Sequence, residues 1–150
     1  MAFLSADNQN EIKQLFEKLT GDVRLIYFTQ KESPLFIPGQ DCETCKDTRM
    51  LLEEITALSE KIHLEVNEFV PGSELAREHS IDRIPAMVMV ADGVKGKIRY
   101  FGMPSGYEFS VLLGSLLDAS QAKSDLSEGA IETLQALDKD LHIQVFVTPT

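Results

Sequence analysis

The sequence predicts an α/β domain, because segments with helical spacing of apolar residues alternate with short apolar runs typical of strands. The order along the chain is helix, strand, helix, strand, helix, strand, strand, helix. With 150 residues, a mass of 16.7 kDa and 43% hydrophobic residues, the chain is long enough to bury one core. Its mean hydropathy of −0.08 is that of an ordinary globular domain.

The first helix and the first strand are predicted before residue 29. One helix face is formed by Ile12, Leu15, Phe16 and Leu19. Ser5 or Asp7 is available to cap this helix, which ends at Thr20-Gly21-Asp22. Residues 23–28 form an apolar run that predicts a strand buried on both faces. In the loop that follows, residues 29–41, the apolar Leu35-Phe36-Ile37 is expected to lie on the surface as a flap.

The later elements are predicted from the same two periodicities. They are, in order, a helix over 43–59, a strand over 62–69, a helical turn over 73–78, and strands over 86–90 and 98–101. Asp92-Gly93 is a turn signal that makes the last two strands a hairpin. A final helix carries a wide apolar stripe made of Phe109, Leu112, Leu113, Leu116 and Leu117.

Composition excludes several classes of function. The 24 acidic and 14 basic residues give a net charge of −10, and the absence of a Lys/Arg cluster argues against a nucleic-acid partner. The longest unbroken apolar run, residues 84–91, is too short to span a bilayer, and we expect neither a membrane span nor a signal peptide. Two cysteines without a secretory signal predict a reducing, cytoplasmic compartment.

The C-terminal segment repeats the pattern of the first helix and strand. A shift of 140 − 22 = 118 residues places Asp140 on Asp22 and Phe146 on Phe28. Leu134 falls in the repeated helix, and residues 143–147 form the repeated strand. We therefore expect residues 127–150 to be the opening of a second unit that has been cut off.

The motif Asp41-Cys42-Glu43-Thr44-Cys45-Lys46 places two cysteines at i and i+3 where a loop becomes a helix. The N–H groups and the dipole at a helix N-terminus stabilise a thiolate, the form that attacks disulfides. We expect Cys42 to attack a substrate disulfide and Cys45 to resolve the mixed disulfide by attacking Cys42. The charges of Asp41, Glu43 and Lys46, together with Thr44 between the cysteines, are expected to tune this reactivity.

Three other interpretations of the cysteines stay open. A zinc site needs further ligands, but His63, His79 and His142 stand far apart in the sequence. A structural disulfide around two intervening residues would constrain the unfolded chain very little. The pair could also be two buried apolar thiols, although the polar residues around them argue against this.

These features together resemble the thioredoxin fold over nearly the whole chain. Cys42-Glu43-Thr44-Cys45 matches the position of its active-site motif, and Ile84-Pro85 that of its cis-proline. Residues 99–109 (RYFGMPSGYEF) and 81–86 (IDRIPA) more narrowly resemble the glutaredoxin-like protein disulfide oxidoreductases of archaea and thermophilic bacteria. That family carries two thioredoxin-fold units in tandem. The resemblance therefore implies a mixed sheet flanked by helices over residues 1–120, and a linker, helix and first strand of a second unit over 121–150.

The resemblance also implies a function. The expected activity is dithiol–disulfide exchange with protein substrates, with a groove shaped by Arg83, Ile84 and Pro85. Neither an organic cofactor nor a metal is needed, since the Cys42–Cys45 disulfide is the redox group. A flavoprotein related to thioredoxin reductase is the expected electron donor.

Three departures from the family pattern modify this expectation. The loop over residues 29–41 is longer than the connection usual in this family, and its Leu35-Phe36-Ile37 could shield Cys42 or shape a partner-binding surface. Because the carboxylate of Glu43 disfavours the Cys42 thiolate, we predict a comparatively reducing potential. Residues 23–28 lack the buried carboxylate that thioredoxins use as a proton acceptor, so that another group or water must replace it.

Two alternative functions remain at this point. The domain could be an electron relay between a flavoprotein reductase and a second redox unit or a peroxidase, as in the N-terminal region of bacterial peroxiredoxin reductases, whose first unit usually lacks a redox pair. It could also be a non-catalytic docking or dimerisation module that uses Leu35-Phe36-Ile37 and the edge of residues 143–147.

Overall fold

The computed structural model of the protein describes residues 3–31 and 41–147. In chain order the elements are α1 (Ala6–Phe16), β1 (Val23–Thr29), α2 (Cys45–Thr56), β2 (Ile62–Glu68), α3 (Glu74–His79), β3 (Ala86–Ala91), β4 (Ile98–Phe101), α4 (Tyr107–Gln121) and α5 (Glu128–Gln135). The predicted order of helices and strands is confirmed through α4. The flap predicted at Leu35-Phe36-Ile37 lies outside the described residues.

The four strands form one mixed sheet in the order β2-β1-β3-β4. β1 is parallel to β2, because α2 crosses between them, and antiparallel to β3. β3 and β4 form the predicted antiparallel hairpin. In the β1–β3 register Phe28 pairs with Ala86, and the carboxyl end of β1 therefore meets the amino end of β3.

Side chains of the central strand β1 supply both faces of the core, as its apolar run predicts. On one face, Val23, Leu25 and Tyr27 pack in a cluster that includes side chains of α1, α2 and α4. On the other face, Ile26 and Phe28 pack with Ile81, beside α3. Only Arg24 within the predicted strand is exposed.

The helix caps follow local sequence rules. The Ser5 side chain accepts a hydrogen bond from the Asn8 N–H at the start of α1, and Ser73 caps α3 in the same way. His79, expected at the surface or at the end of an element, ends α3 but is buried, with its ring edge-on to Phe28. His63 is exposed on β2.

A set of hydrogen bonds that we call the Ser120 clamp fixes the turn before β1. Ser120 Oγ on α4 accepts from the backbone N–H groups of Thr20 and Gly21, each at 2.9 Å, and donates to the Gly21 carbonyl oxygen at 2.7 Å. Thr20 Oγ1 donates to the Ser120 carbonyl oxygen at 2.8 Å. A side chain at Gly21 would place its Cβ 3.1 Å from the same carbonyl oxygen, which favours glycine there.

The C-terminal segment differs from its prediction. α5 forms where the repeat predicts a helix, and Ser127 caps it. Residues 143–147 are not a strand, and Phe146 is 88% exposed. A strand needs a hydrogen-bonded neighbour, and within the described residues no strand pairs with this segment. No helix in the described ranges is long and apolar enough to cross a membrane.

Candidate active site

The two cysteines lie at the carboxyl end of β1, where the chain enters α2. Their sulfurs are bonded to each other at 1.98 Å, with Cα atoms 5.4 Å apart. The alternative of two separate buried thiols therefore does not describe this structure. Cys42 is half-buried, whereas Cys45 is only 4% exposed. A partner molecule thus has better access to Cys42 than to Cys45.

The helix begins later than predicted, at Cys45 rather than at residue 43. Thr44 is the N-cap, and its side chain makes no capping hydrogen bond to a described residue. Thr48, one helical turn after Thr44, instead donates its hydroxyl hydrogen to the Thr44 carbonyl oxygen at 2.7 Å. The first N–H groups of α2 have no hydrogen-bond partner within the helix and lie next to the disulfide. This positive end of the helix dipole favours a thiolate at Cys42.

A glutamine that sequence analysis missed connects the end of β1 to the cysteine motif. Gln30 Nε2 donates to Asp41 Oδ1 at 2.7 Å, and the backbone N–H of Cys42 donates to Gln30 Oε1. We call these contacts the Gln30 bridge. Its only signal in the sequence is a polar residue just after a buried strand, and the contact spans 12 positions.

A buried tyrosine of β1 forms a hydrogen bond with the backbone of the second cysteine. The Tyr27 hydroxyl donates to the Cys45 carbonyl oxygen at 2.7 Å, and its side chain is fully buried. Burial raises the pKa of Tyr27 above its ordinary value, because the phenolate would lose its hydration. Tyr27 thus places a hydrogen-bond donor next to Cys45, in a strand whose residues 23–28 contain no carboxylate.

The segment before β3 lies at the same end of the sheet. The Ile84-Pro85 peptide bond is cis, as the resemblance implied. Pro85 is buried and its carbonyl oxygen accepts from the Gly102 N–H at 2.8 Å. Because Ala86 pairs with Phe28, Pro85 comes to the end of β1 that leads into the Gln30 bridge.

Arg83 is exposed next to this proline. Its Nε atom lies 2.9 Å from Asp82 Oδ1, and its guanidinium lies over the Phe101 ring at 5.1 Å. Phe101 also borders a groove of about 370 Å³ between β4 and the start of α4. The groove is lined by Arg99, Tyr100, Phe101, Gly102, Pro104, Glu108 and Val111.

The residues predicted to tune the cysteines are not equivalent. Asp41 is half-buried and held by the Gln30 bridge, whereas Glu43, Thr44 and Lys46 are exposed. Asp41 is therefore the carboxylate with a fixed position beside Cys42. The roles assigned to these four residues, and to Arg83, Ile84 and Pro85, stay predictions.

Comparison with protein-family models gives no match for this chain. Among curated proteins, the alkyl hydroperoxide reductase component AhpF of Staphylococcus aureus is 25% identical over 147 residues, covering 98% of this chain and 25% of that protein. The corresponding protein of Staphylococcus epidermidis matches with the same identity and coverage. The chain therefore spans about a quarter of the length of these relatives.

Two solved structures have a similar fold. AhpF of Enterococcus faecalis superposes with a TM-score of 0.74 at 21% identity, covering 91% of this chain and 62% of that one. A protein disulfide oxidoreductase from Aeropyrum pernix superposes with a TM-score of 0.73 at 24% identity, covering 91% and 56%. Together with the mixed sheet and flanking helices, these likenesses confirm the predicted thioredoxin-like fold.

Proposed function

We propose that the protein is a thiol–disulfide oxidoreductase that exchanges its Cys42–Cys45 disulfide with disulfides of other proteins. The observation that carries this proposal is the bonded pair at the start of α2, with Cys42 accessible and Cys45 buried. The likeness in fold to a protein disulfide oxidoreductase over 91% of the chain supports it.

The proposed reaction conserves electrons and protons without another redox group. In the reduced protein, the Cys42 thiolate attacks one sulfur of a substrate disulfide, forms a mixed disulfide and releases the other sulfur as a thiol. Cys45 loses its proton and attacks Cys42, which releases the second substrate thiol and forms the Cys42–Cys45 bond. Two electrons and two protons pass to the substrate, and the protein becomes oxidised.

The surface beside the pair favours a polypeptide substrate. Arg83, Ile84 and Pro85 lie at the same end of the sheet as the cysteines and would form one wall of the substrate site. Through Phe101 this wall continues into the groove beside β4, which offers apolar contacts. An extended chain next to its disulfide could use both.

Insulin reduction with dithiothreitol as the electron source tests the proposal. We expect the wild-type protein to accelerate reduction and Cys42→Ser to lose the acceleration completely. Reduced Cys45→Ser, mixed with insulin after dithiothreitol has been removed, should accumulate a mixed disulfide because no resolving thiol remains. A matched control is Ser59→Cys, which adds a thiol outside the pair. Equal activity of the wild type and Cys42→Ser would contradict the proposal and favour the docking module.

A second candidate function is an electron relay toward a peroxidase. It is favoured by the similarity to the alkyl hydroperoxide reductase component AhpF over 98% of this chain. The reduced pair would then pass its electrons to the disulfide of a peroxidase, and a flavoprotein reductase would reduce the pair again. Rapid mixing of the reduced protein with an oxidised two-cysteine peroxidase tests this. If the protein is a relay, the peroxidase should oxidise Cys42 and Cys45 much faster than insulin does.

The expected setting of this activity is part of the proposal. Because the redox group is the chain's own cysteine pair, we propose protein disulfides as its substrates, a flavoprotein reductase as its electron donor and the cytoplasm as its location.

We also propose that residues 121–150 begin a second thioredoxin-like unit. The exposed apolar side chains after α5 support this, since such a surface needs a covering partner: Leu141, Ile143, Val145, Phe146 and Val147. In a protein that contains the whole second unit, residues 143–147 should exchange their amide hydrogens as slowly as β1, and fast exchange there would contradict the proposal.

A further inference from the structure

We propose that Gln30 is a positioning residue that sets the reactivity of Cys42. Its side-chain amide holds the backbone of Cys42 and the carboxylate of Asp41 in one arrangement. The inference rests on the proposed function, because it concerns the rate and equilibrium of thiol–disulfide exchange at Cys42.

The position of Gln30 makes it a rigid support. It follows the last residue of β1, a central strand whose apolar side chains are buried on both faces of the sheet. Gln30 is half-buried, as are Asp41 and Cys42, and the three residues are thus partly removed from water. Hydrogen bonds in such surroundings are stronger than those exposed to solvent.

The chemistry of the partners allows only one orientation of the Gln30 amide. The N–H of Cys42 needs an acceptor, which is the Gln30 carbonyl oxygen. The carboxylate of Asp41 accepts only, and so faces the NH₂ group. Gln30 is therefore the side chain type that matches a donor and a carboxylate at once, whereas glutamate at this position would repel Asp41.

The Gln30 bridge affects the pKa of the Cys42 thiol through the charge of the Asp41 carboxylate. A carboxylate near a thiol raises the pKa of that thiol, because two negative charges repel. The Gln30 NH₂ group offsets part of the Asp41 charge and fixes its place, and so limits this effect. The other charged side chains at this end of the sheet lie on these segments, at the end of β2 and before β3: Lys31, Glu43, Lys46, Asp47, Arg49, Glu68, Asp82 and Arg83.

The experiment compares Gln30→Glu with the double variant Gln30→Glu, Asp41→Asn. The single variant adds a charge and removes the donor to Asp41. The double variant restores the original net charge and allows the same two hydrogen bonds with the polarity of one reversed. The readouts are the pH profile of the Cys42 thiolate absorbance and the equilibrium with glutathione.

We expect Gln30→Glu to raise the pKa of Cys42, lowering its thiolate fraction near neutral pH about tenfold and shifting the equilibrium toward the disulfide. The double variant should return to within about twofold of the wild type. Gln30→Met, which removes both hydrogen bonds without adding charge, should raise the pKa by less than Gln30→Glu. Its measurement keeps the test valid if Gln30→Glu does not fold.

The matched control is Gln121→Glu, the same substitution at the other end of the sheet, where Gln121 Nε2 donates to the Lys18 carbonyl oxygen. It should leave the pKa of Cys42 and the glutathione equilibrium unchanged. Unchanged profiles in Gln30→Glu and Gln30→Met, or a double variant no closer to the wild type, would overturn the role of Gln30. A wild-type pair that never exchanges with glutathione would instead overturn the proposed function, and the two failures are thus distinguishable.

Discussion

The two ends of β1 are each fixed by one polar side chain, but the two side chains have different partners. At the amino end, the Ser120 clamp joins a hydroxyl to neutral backbone groups of Thr20 and Gly21. At the carboxyl end, the Gln30 bridge joins an amide to a carboxylate and to the backbone of a cysteine. Buried Ser120 is closed off from solvent, whereas the Gln30 bridge is half-exposed.

This difference separates stability from reactivity within one strand. None of the groups in the Ser120 clamp changes charge or bonding during thiol exchange, and breaking the clamp should therefore cost stability alone. In the Gln30 bridge, Cys42 alternates between a disulfide and a thiolate, and the same contacts influence its equilibrium. Substitutions at the two ends should consequently have separable effects on unfolding and on redox behaviour.

The largest stability effect is expected for Ser120→Ala. This substitution removes three hydrogen bonds to Thr20 and Gly21, and it should lower the free energy of unfolding by about 2 kcal/mol. Urea unfolding of the oxidised protein measures this loss. The glutathione equilibrium of the Cys42–Cys45 pair should stay unchanged. A shift in that equilibrium would contradict the conclusion that the amino end of β1 affects stability but not redox behaviour.

A smaller effect is expected for Tyr27→Phe, which removes the hydrogen bond to the Cys45 carbonyl oxygen. We expect a loss of about 1 kcal/mol in the free energy of unfolding near neutral pH. Because the pKa of Tyr27 is raised in the folded state, the unfolded chain loses this proton more readily, and wild-type stability falls as the pH rises above about 10. The difference between wild type and Tyr27→Phe in urea unfolding should therefore shrink above that pH. A difference that grows instead would contradict the assigned donor role.

The smallest effect is expected for Glu43→Gln, because this side chain is exposed and its charge is screened by water. Removal of the carboxylate should lower the pKa of Cys42, raising its alkylation rate near neutral pH about twofold. Lys46→Gln is the matched control of opposite sign and should slow alkylation by a similar factor. Equal rates in both variants would contradict the tuning roles of Glu43 and Lys46 and leave Asp41 as the effective neighbouring charge.

Local sequence patterns predict the elements of this fold well, because each helix or strand in the first 121 residues has its own apolar periodicity. The strand predicted over residues 143–147 does not form among the described residues, since a strand also needs a hydrogen-bonded neighbour that local pattern does not reveal, and its place in a second unit stays a prediction. The cysteine motif could be recognised from its spacing alone. Gln30 and Tyr27 could not, because the contacts of Gln30 join residues far apart in the sequence and Tyr27 lies within an apolar run.

The Gln30 bridge has a consequence for the design of variants. It joins the two ends of the segment between residues 31 and 41, and the cysteine motif is thus anchored to the sheet by positions outside that segment. Variants that exchange residues between the two ends would keep Gln30, Asp41 and Cys42, and the same redox pair could thus be combined with different recognition peptides.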